Sequence, residues 1–272
     1  MAVGWVGVRR WAVEVSWLIL GMLAVAGGVV WWSLLRGLPR ESDDVVRCRE
    51  YRLGDATYAT ALGLGFVLMI FSSGTAEPPP VDAEMFQAAL VFWLMALMLV
   101  LTFMVYRGLN PLDLLGLRPV NWRQCLRVAV VGIAAAIPVV LLIQKGISIW
   151  FPEAGGDRTV EFLRERATVS DWAWVTLMAV VAAPLVEEFI FRGYLYGVAR
   201  RYGGRWAAVG VTSFLFAAIH LNPVGLLPLA VLGVVFALAY ELTGSVWTSV
   251  LMHVLFNGLT LAVLAFFPDF NP

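Results

Sequence analysis

The sequence predicts an all-α polytopic membrane protein, a helical bundle of about eight transmembrane helices. Three observations carry that expectation. The 272 residues are 61% hydrophobic and only 14% charged, against about 45–50% apolar and about 25% charged in soluble domains. The apolar residues are gathered in runs near 20 residues long, roughly the length that crosses a hydrocarbon core as helix. No run alternates with period two, which removes a transmembrane barrel. Backbone in lipid must then satisfy its own hydrogen bonds as helix.

Taken in order, the first span is Val15–Leu35, which follows Arg9 and Arg10. It is about as long as a full span, so it does not read as a cleaved signal. The charged connection Arg36–Asp55 leads to Ala56–Ser73, and the Pro-rich loop Thr75–Pro80 closes that span. Met85–Tyr106 carries no Asp, Glu, Lys or Arg and is one of the two clearest spans. A second charged connection, Arg107–Arg127, contains the turn signals Asn110-Pro111 and Arg118-Pro119. The fourth span, Val128–Ile143, is short, but its apolar character continues past Lys145 to Phe151. The connection Pro152–Asp171 opens with Gly155-Gly156 and continues as TVEFLRERATV, where Val160, Leu163 and Ala167 stand at helical spacing. That pattern predicts an amphipathic helix in the interface, acting as a connector. Trp172–Ala199, Trp206–Leu221, Val224–Tyr240 and the clear span Val246–Phe267 complete the set. Tryptophans such as Trp31, Trp32, Trp150, Trp172, Trp206 and Trp247 stand near span ends, as interfacial anchors do. The chain divides into N-terminal membrane helices and loops, 1–127, and a core, 128–272.

Charge limits both orientation and partners. The formal net charge is zero, and no basic stripe exists to follow phosphates, so nucleic acid is not a partner. In the eight-helix reading one side receives Arg36, Arg40, Arg47, Arg49, Arg52, Arg107, Arg118, Arg123, Arg127, Arg200, Arg201 and Arg205. The other receives Arg9, Arg10, Lys145, Arg158, Arg164 and Arg166. The positive-inside rule makes the first side cytoplasmic and puts both termini outside. Cys48 and Cys125 lie far apart in charged connections and form no metal-type or disulfide spacing.

Against this apolar background the polar residues inside spans stand out. The chain has two histidines, and both lie in spans: His220 closes TSFLFAAIH and His253 sits in VWTSVLMHVLFNGL. A third span carries Glu187 and Glu188, with Arg192 four residues after the second. Ionisable groups in hydrocarbon are costly and survive where they pair, line a cavity or do chemistry. At about 1.5 Å per helical residue, Glu187 lies roughly 20 Å before Arg200, His220 roughly 22 Å after Arg205, and Asn257 about 20 Å after Gly244. Three helices thus bring polar groups to one depth. Neighbouring helical residues point about 100° apart, so Glu187 and Glu188 cannot face one pocket equally. Glu188 and Arg192, at i and i+4 with the acid first, form the favourable ion-pair order. That pairing leaves Glu187 to face water. Pro184 removes a backbone donor just before the pair and loosens or kinks the helix. His253 and Asn257, also at i and i+4, share a face from which both could donate to an oxyanion. Phe216, one turn before His220, reads as packing. A carboxylate with two imidazoles is the set for activating water.

These residues resemble the three motifs of the CAAX-protease and bacteriocin-processing family, the Abi-type intramembrane endopeptidases related to type II CAAX prenyl proteases. EEFIFR (Glu187, Glu188, Arg192) matches the pattern EExxxR, FAAIH (Phe216, His220) matches FxxxH, and HVLFN (His253, Asn257) matches HxxxN. The resemblance covers roughly Trp172 to Leu261, and Gly116–Pro119 also looks like a segment that precedes the core in that family. It implies that Glu187 activates the attacking water and His220 helps bind and orient it. His253 and Asn257 would stabilise the oxyanion, with Glu188 and Arg192 holding the helix. Relatives in eukaryotes remove a C-terminal tripeptide from prenylated proteins. The partners implied are therefore the lipid bilayer and a peptide or membrane-anchored, prenylated or unprenylated, protein substrate. The membrane expected is the cytoplasmic membrane of a prokaryote.

A metal is the contested point. Zinc would need three protein ligands plus water, and Glu187, His220 and His253 could supply them, at the expense of the base and the oxyanion donor. No HExxH pair is present, and metal-free, glutamate-activated water is the favoured reading. Two further functions compete. One is a non-catalytic scaffold or bacteriocin-immunity protein, weakened because no motif residue is missing. The other is a proton-coupled transporter, for which neither inverted repeats nor paired broken helices are visible.

Overall fold

The computed structural model describes residues 2–40, 43, 45–73, 80–118, 121–151, 158–165 and 167–267, the side chains of 2–16, 73, 83 and 165 excepted. Residues 75–79 of the Pro-rich loop, Pro119, the Gly155-Gly156 pair and Arg166 lie outside that set. Among the described residues there are helices and no strands. In chain order these are α1 (Ala2–Leu35), α2 (Leu53–Ser73), α3 (Ala83–Tyr106), the short α4 (Pro111–Leu114), α5 (Trp122–Trp150) and α6 (Arg158–Glu165). A 50-residue helical run, Val169–Ala218, comes next. As one rod it would be about 75 Å long, more than twice the hydrocarbon thickness.

It is not one rod. Gly204 takes φ 76° and ψ 177°, a region essentially reserved for glycine, and the chain turns back there. Phe191, before the turn, meets Phe216, after it, edge to face at 5.7 Å. The run is therefore a hairpin of two antiparallel arms, α7 (residues 169–203) and α8 (residues 205–218). Next come α9 (Leu226–Thr243) and α10 (Val246–Phe266), joined at Gly244, whose φ of 67° closes the end of α9. Among the described residues seven runs are long and apolar enough to cross a membrane, and the turn at Gly204 divides one of them, giving eight arms. Each span read from the sequence falls on one arm. The fourth is longer than Val128–Ile143, because the Asn121 side chain accepts from the N–H groups of Arg123 and Gln124 and starts α5 earlier. Arg123 and Arg127 then ride on its exposed face.

Burial is inverted relative to a soluble protein. Met22, Val25 and Val29 of α1, Leu68 and Phe71 of α2, and Met95 and Met98 of α3 are exposed. Glu187, Glu188, Arg192, Arg200, Arg205, Glu241 and His253 are buried. That distribution is what a lipid solvent demands of a helical bundle. The chain is a multi-pass integral membrane protein. Its largest apolar cluster is continuous from Trp31 in α1 to Met252 in α10, so the N-terminal helices share the core of the later ones. Trp31 Nε1, for example, donates to the Gly132 carbonyl of α5 at 3.0 Å.

The Arg-rich end is tied together by buried polar bonds. Glu241 of α9 receives Arg200 Nε, Arg205 Nε at 2.9 Å and the Tyr196 hydroxyl at 2.7 Å. The same two arginines hold the connection after α1: Arg205 donates to the Pro39 carbonyl, and Arg200 to the Val46 carbonyl and Cys48 Sγ. Arg200 and Arg205 are thus structural cations within the helix ends, whereas the spans read from the sequence leave them in the connection between Ala199 and Trp206. Tyr51 reaches the Gly193 carbonyl of α7 at 3.4 Å, and burial pushes its phenol well above the ordinary value, which keeps the hydroxyl a donor. At the other end, α6 buries Leu163 in a second apolar cluster with Phe86, Val175, Met178 and Leu264, and Val160 and Ala167 pack beside it. The amphipathic pattern read from TVEFLRERATV is the pattern that docks.

Candidate active site

The carboxylate pair sits in an irregular stretch of α7. Residues 177–182 and 189–195 are wound with i→i+5 hydrogen bonds, flanking the α-helical turn Ala183–Glu188. Each such turn inserts one residue and rotates the rest of the helix by about 100° relative to a plain α-helix. Pro184 heads the central turn, inside the continuous helical run, and brings no N–H to it. Glu187 and Glu188 therefore point to different neighbours.

Glu187 is buried and faces α8. Its Oε2 lies 4.0 Å from His220 Nε2 and has no hydrogen-bond partner. His220 stands just past the end of α8 and is the more open of the two, its side chain 30% exposed against 6% for Glu187. His220 Nδ1 is 2.7 Å from the Phe216 carbonyl. A carbonyl can only accept, so Nδ1 carries a proton and a neutral His220 presents a lone pair on Nε2.

Glu188 lies at the centre of the polar group and is completely buried. Its Oε1 accepts from Arg192 Nη1 at 2.8 Å and faces His253 Nδ1 at 3.0 Å. Arg192 also donates to the Gly233 carbonyl of α9 at 3.2 Å. Its guanidinium rests over the rings of Phe216 and Phe236, 4.4 and 5.3 Å from their centroids. Phe216 meets both imidazoles edge-on, His220 at 5.0 Å and His253 at 5.6 Å. The aromatic residue of the FxxxH pattern therefore touches both histidines. Glu188 does more than hold Arg192: it fixes His253, a contact that helical spacing within one element cannot reveal. Phe236 and Gly233 of α9 are further members of this group that carry no signal in the sequence beyond apolarity.

Asn257 lies one turn beyond His253 on α10. Its Nδ2 donates to the Ala179 carbonyl of α7 at 2.6 Å. The amide expected as a second oxyanion donor is thus engaged with backbone. Glu187, Glu188, Arg192, Phe216, His220 and His253 converge on one locus, and Asn257 joins α10 to α7 about two turns earlier along α7.

Comparison with known proteins places this group. Residues 169–259, which contain all seven of those side chains, match the family described as type II CAAX prenyl endopeptidase, Rce1-like. That segment is similar to the Rce1-like family. Over 86 residues the chain is 29% identical to the Bacillus subtilis (strain 168) protein named "Putative membrane peptidase YdiL". That alignment covers 30% of this chain and 35% of YdiL, so the match spans about a third of the relative's length. No solved structure matches the chain. The Rce1-like segment begins at the start of α7 and takes in α8, α9 and most of α10. α1 to α6 lie outside it.

Among the described residues, no three His, Cys, Asp or Glu side chains are grouped to hold an ion. Glu187 and His220 approach one another, while His253 directs its Nδ1 to Glu188.

Proposed function

We propose that the protein is an intramembrane endopeptidase, hydrolysing peptide bonds of peptide or membrane-anchored protein substrates with water activated by Glu187. The observation that carries this reading is the 4.0 Å separation of Glu187 Oε2 and His220 Nε2. Both atoms are acceptors. A water donating to each at about 2.8 Å would subtend roughly 90° at its oxygen, close to the angle between its own O–H bonds. Its lone pairs would then be turned away from both groups, towards a substrate carbonyl carbon.

In the forward step the water oxygen bonds to that carbon as Glu187 takes the proton, and the carbonyl π pair moves onto oxygen. His253 supplies the donor for this oxyanion. Its Nδ1 is committed to Glu188, so Nε2 is the atom left to donate, which it does when the ring carries a proton on each nitrogen. The oxyanion pair then re-forms the carbonyl, and the C–N bond breaks as Glu187 passes its proton to the leaving amine. Buried, preorganised donors of this kind favour the transition state over the substrate. Glu187 acts as base and His253 as donor, which leaves neither free to ligate, so the proposed reaction needs no metal.

Processing at a C-terminus of the CAAX type, or maturation of a related peptide, is the substrate class supported by the Rce1-like match. The Arg-rich end faces the cytoplasm of a prokaryotic cell, following the charge asymmetry. Cleavage of quenched C-terminal peptides, one farnesylated and one plain, by purified protein and by Glu187→Ala tests the reading. Turnover by the wild type alone is the expected result, and the preferred peptide decides whether prenylation is recognised. No turnover of either peptide, or equal turnover by Glu187→Ala, overturns it.

A further inference from the structure

Asn257 occupies a position from which an oxyanion donor is expected, yet it spends its amide on a main-chain carbonyl of another helix. The reason lies in α7. Ala183 N–H donates to the Met178 carbonyl, an i→i+5 bond. In the same register the next carbonyl, Ala179, is matched to the nitrogen of residue 184. That residue is Pro184, which has no N–H. The Ala179 carbonyl therefore lacks the donor its turn would provide. A buried carbonyl without a partner is costly, most of all in a membrane core. Asn257 Nδ2, at 2.6 Å, supplies the missing donor from α10.

We propose that Asn257 is a positioning residue, coupled to Pro184: it caps the carbonyl that the proline orphans and thereby locks α10 to the turn that carries Glu187 and Glu188. Three features of the molecule support the coupling. The capped carbonyl is five residues before Pro184 and eight before Glu187, on the same helix. His253, one turn from Asn257, is the α10 residue that must meet Glu188 at 3.0 Å. The lock is therefore placed to set the registry of α10 against α7, on which that contact depends. Thr176 and Ala182, the residues before the 177–182 stretch and at its end, supply no side-chain cap, and the Asn257 amide is a hydrogen bond that fastens this part of α7 to α10. Asn257 acts on the reaction through Glu188, His253 and Glu187 in this account, without touching the substrate.

The proposal separates from an oxyanion role by a double-mutant cycle with two readouts. Asn257→Leu keeps size and removes the donor, and Pro184→Ala restores an N–H that can take the Ala179 carbonyl, directly or by rewinding the turn. In thermal unfolding, Asn257→Leu should lower Tm by about 3 °C or more in the wild-type background, and by less than half as much in Pro184→Ala. The same non-additivity is expected in kcat, with KM little changed. A tenfold loss on removing Asn257 should shrink to about twofold when residue 184 can donate. The rate arm rests on the endopeptidase reading, whereas the unfolding arm does not. If no peptide is cleaved, that reading fails and the Tm cycle still decides the coupling. An Asn257→Leu protein that does not fold, beside a double variant that does, supports the coupling. Equal loss of Tm in both backgrounds, including failure of both to fold, overturns it. Equal fold-loss of kcat in both backgrounds, with unchanged KM, makes Asn257 an oxyanion donor and also overturns it.

Discussion

The two adjacent carboxylates should fail in opposite ways when each loses its charge. Glu188 is fully buried between Arg192, also fully buried, and His253, which is nearly so. Glu188→Gln leaves the Arg192 guanidinium without its counter-charge, although the amide oxygen can still accept one hydrogen bond. Breaking a buried pair from one side costs about 3–5 kcal/mol, and the retained hydrogen bond favours the lower end. At about 2–4 °C per kcal/mol for a chain of this size class, Tm should fall by roughly 10 °C. Turnover should fall as well, because His253 loses the acceptor that orients it. Glu187 is different, since its Oε2 has no hydrogen-bond partner to lose. Glu187→Gln removes a charge from a buried site and leaves a side chain of nearly the same shape, so stability should hold or rise slightly. The amide cannot take a proton from water, and loss of a general base lowers kcat by about 10² to 10⁴. Detergent-solubilised wild type and both variants can be compared by thermal unfolding and by cleavage of a quenched peptide. A Glu188→Gln protein that melts like the wild type, or a Glu187→Gln protein that still cleaves, would refute the division. If Glu188→Gln is the well-folded but inactive variant, the two roles are reversed.

Three other outcomes are expected from the same geometry. His253→Ala should reduce kcat by the equivalent of about 3–4 kcal/mol while changing KM little, as expected for a donor used mainly in the transition state. A matching rise in KM with kcat intact would instead make His253 a substrate-binding residue. Activity should survive EDTA and long dialysis, whereas stoichiometric zinc whose removal abolishes turnover and whose return restores it would make Glu187, His220 and His253 ligands. Gly204→Ala places a side chain at φ 76°, ψ 177° and should cost about 1–3 kcal/mol of stability. A variant as stable as the wild type would show that the hairpin of α7 and α8 does not depend on that conformation.

The features legible in the sequence and those hidden from it divide along one physical line. Hydrocarbon makes ionisable residues expensive, so Glu187, Glu188, His220 and His253 announce themselves against their apolar surroundings. The helical period alone separates Glu187 from Glu188, and in the structure the first faces His220 while the second takes Arg192. Those inferences need only one element at a time. The choice between partners on different elements is set by packing. Glu188 reaching His253, Arg192 donating to the Gly233 carbonyl and Phe216 touching both imidazoles are of that kind. Arg200 and Arg205 show the same limit. They read as loop charges because Glu241, the acid that neutralises both, lies in a different helix just past the end of the span Val224–Tyr240. The i→i+5 turns of α7 leave no periodic trace either, since which carbonyl a given N–H finds is decided by local crowding and the neighbouring helix. Pro184 is the exception. A proline inside an apolar run predicts an orphaned carbonyl about one turn earlier, and hydrocarbon requires that carbonyl to find a donor. The sequence therefore states the demand without naming the supplier, and Asn257 becomes identifiable only when α10 lies against α7.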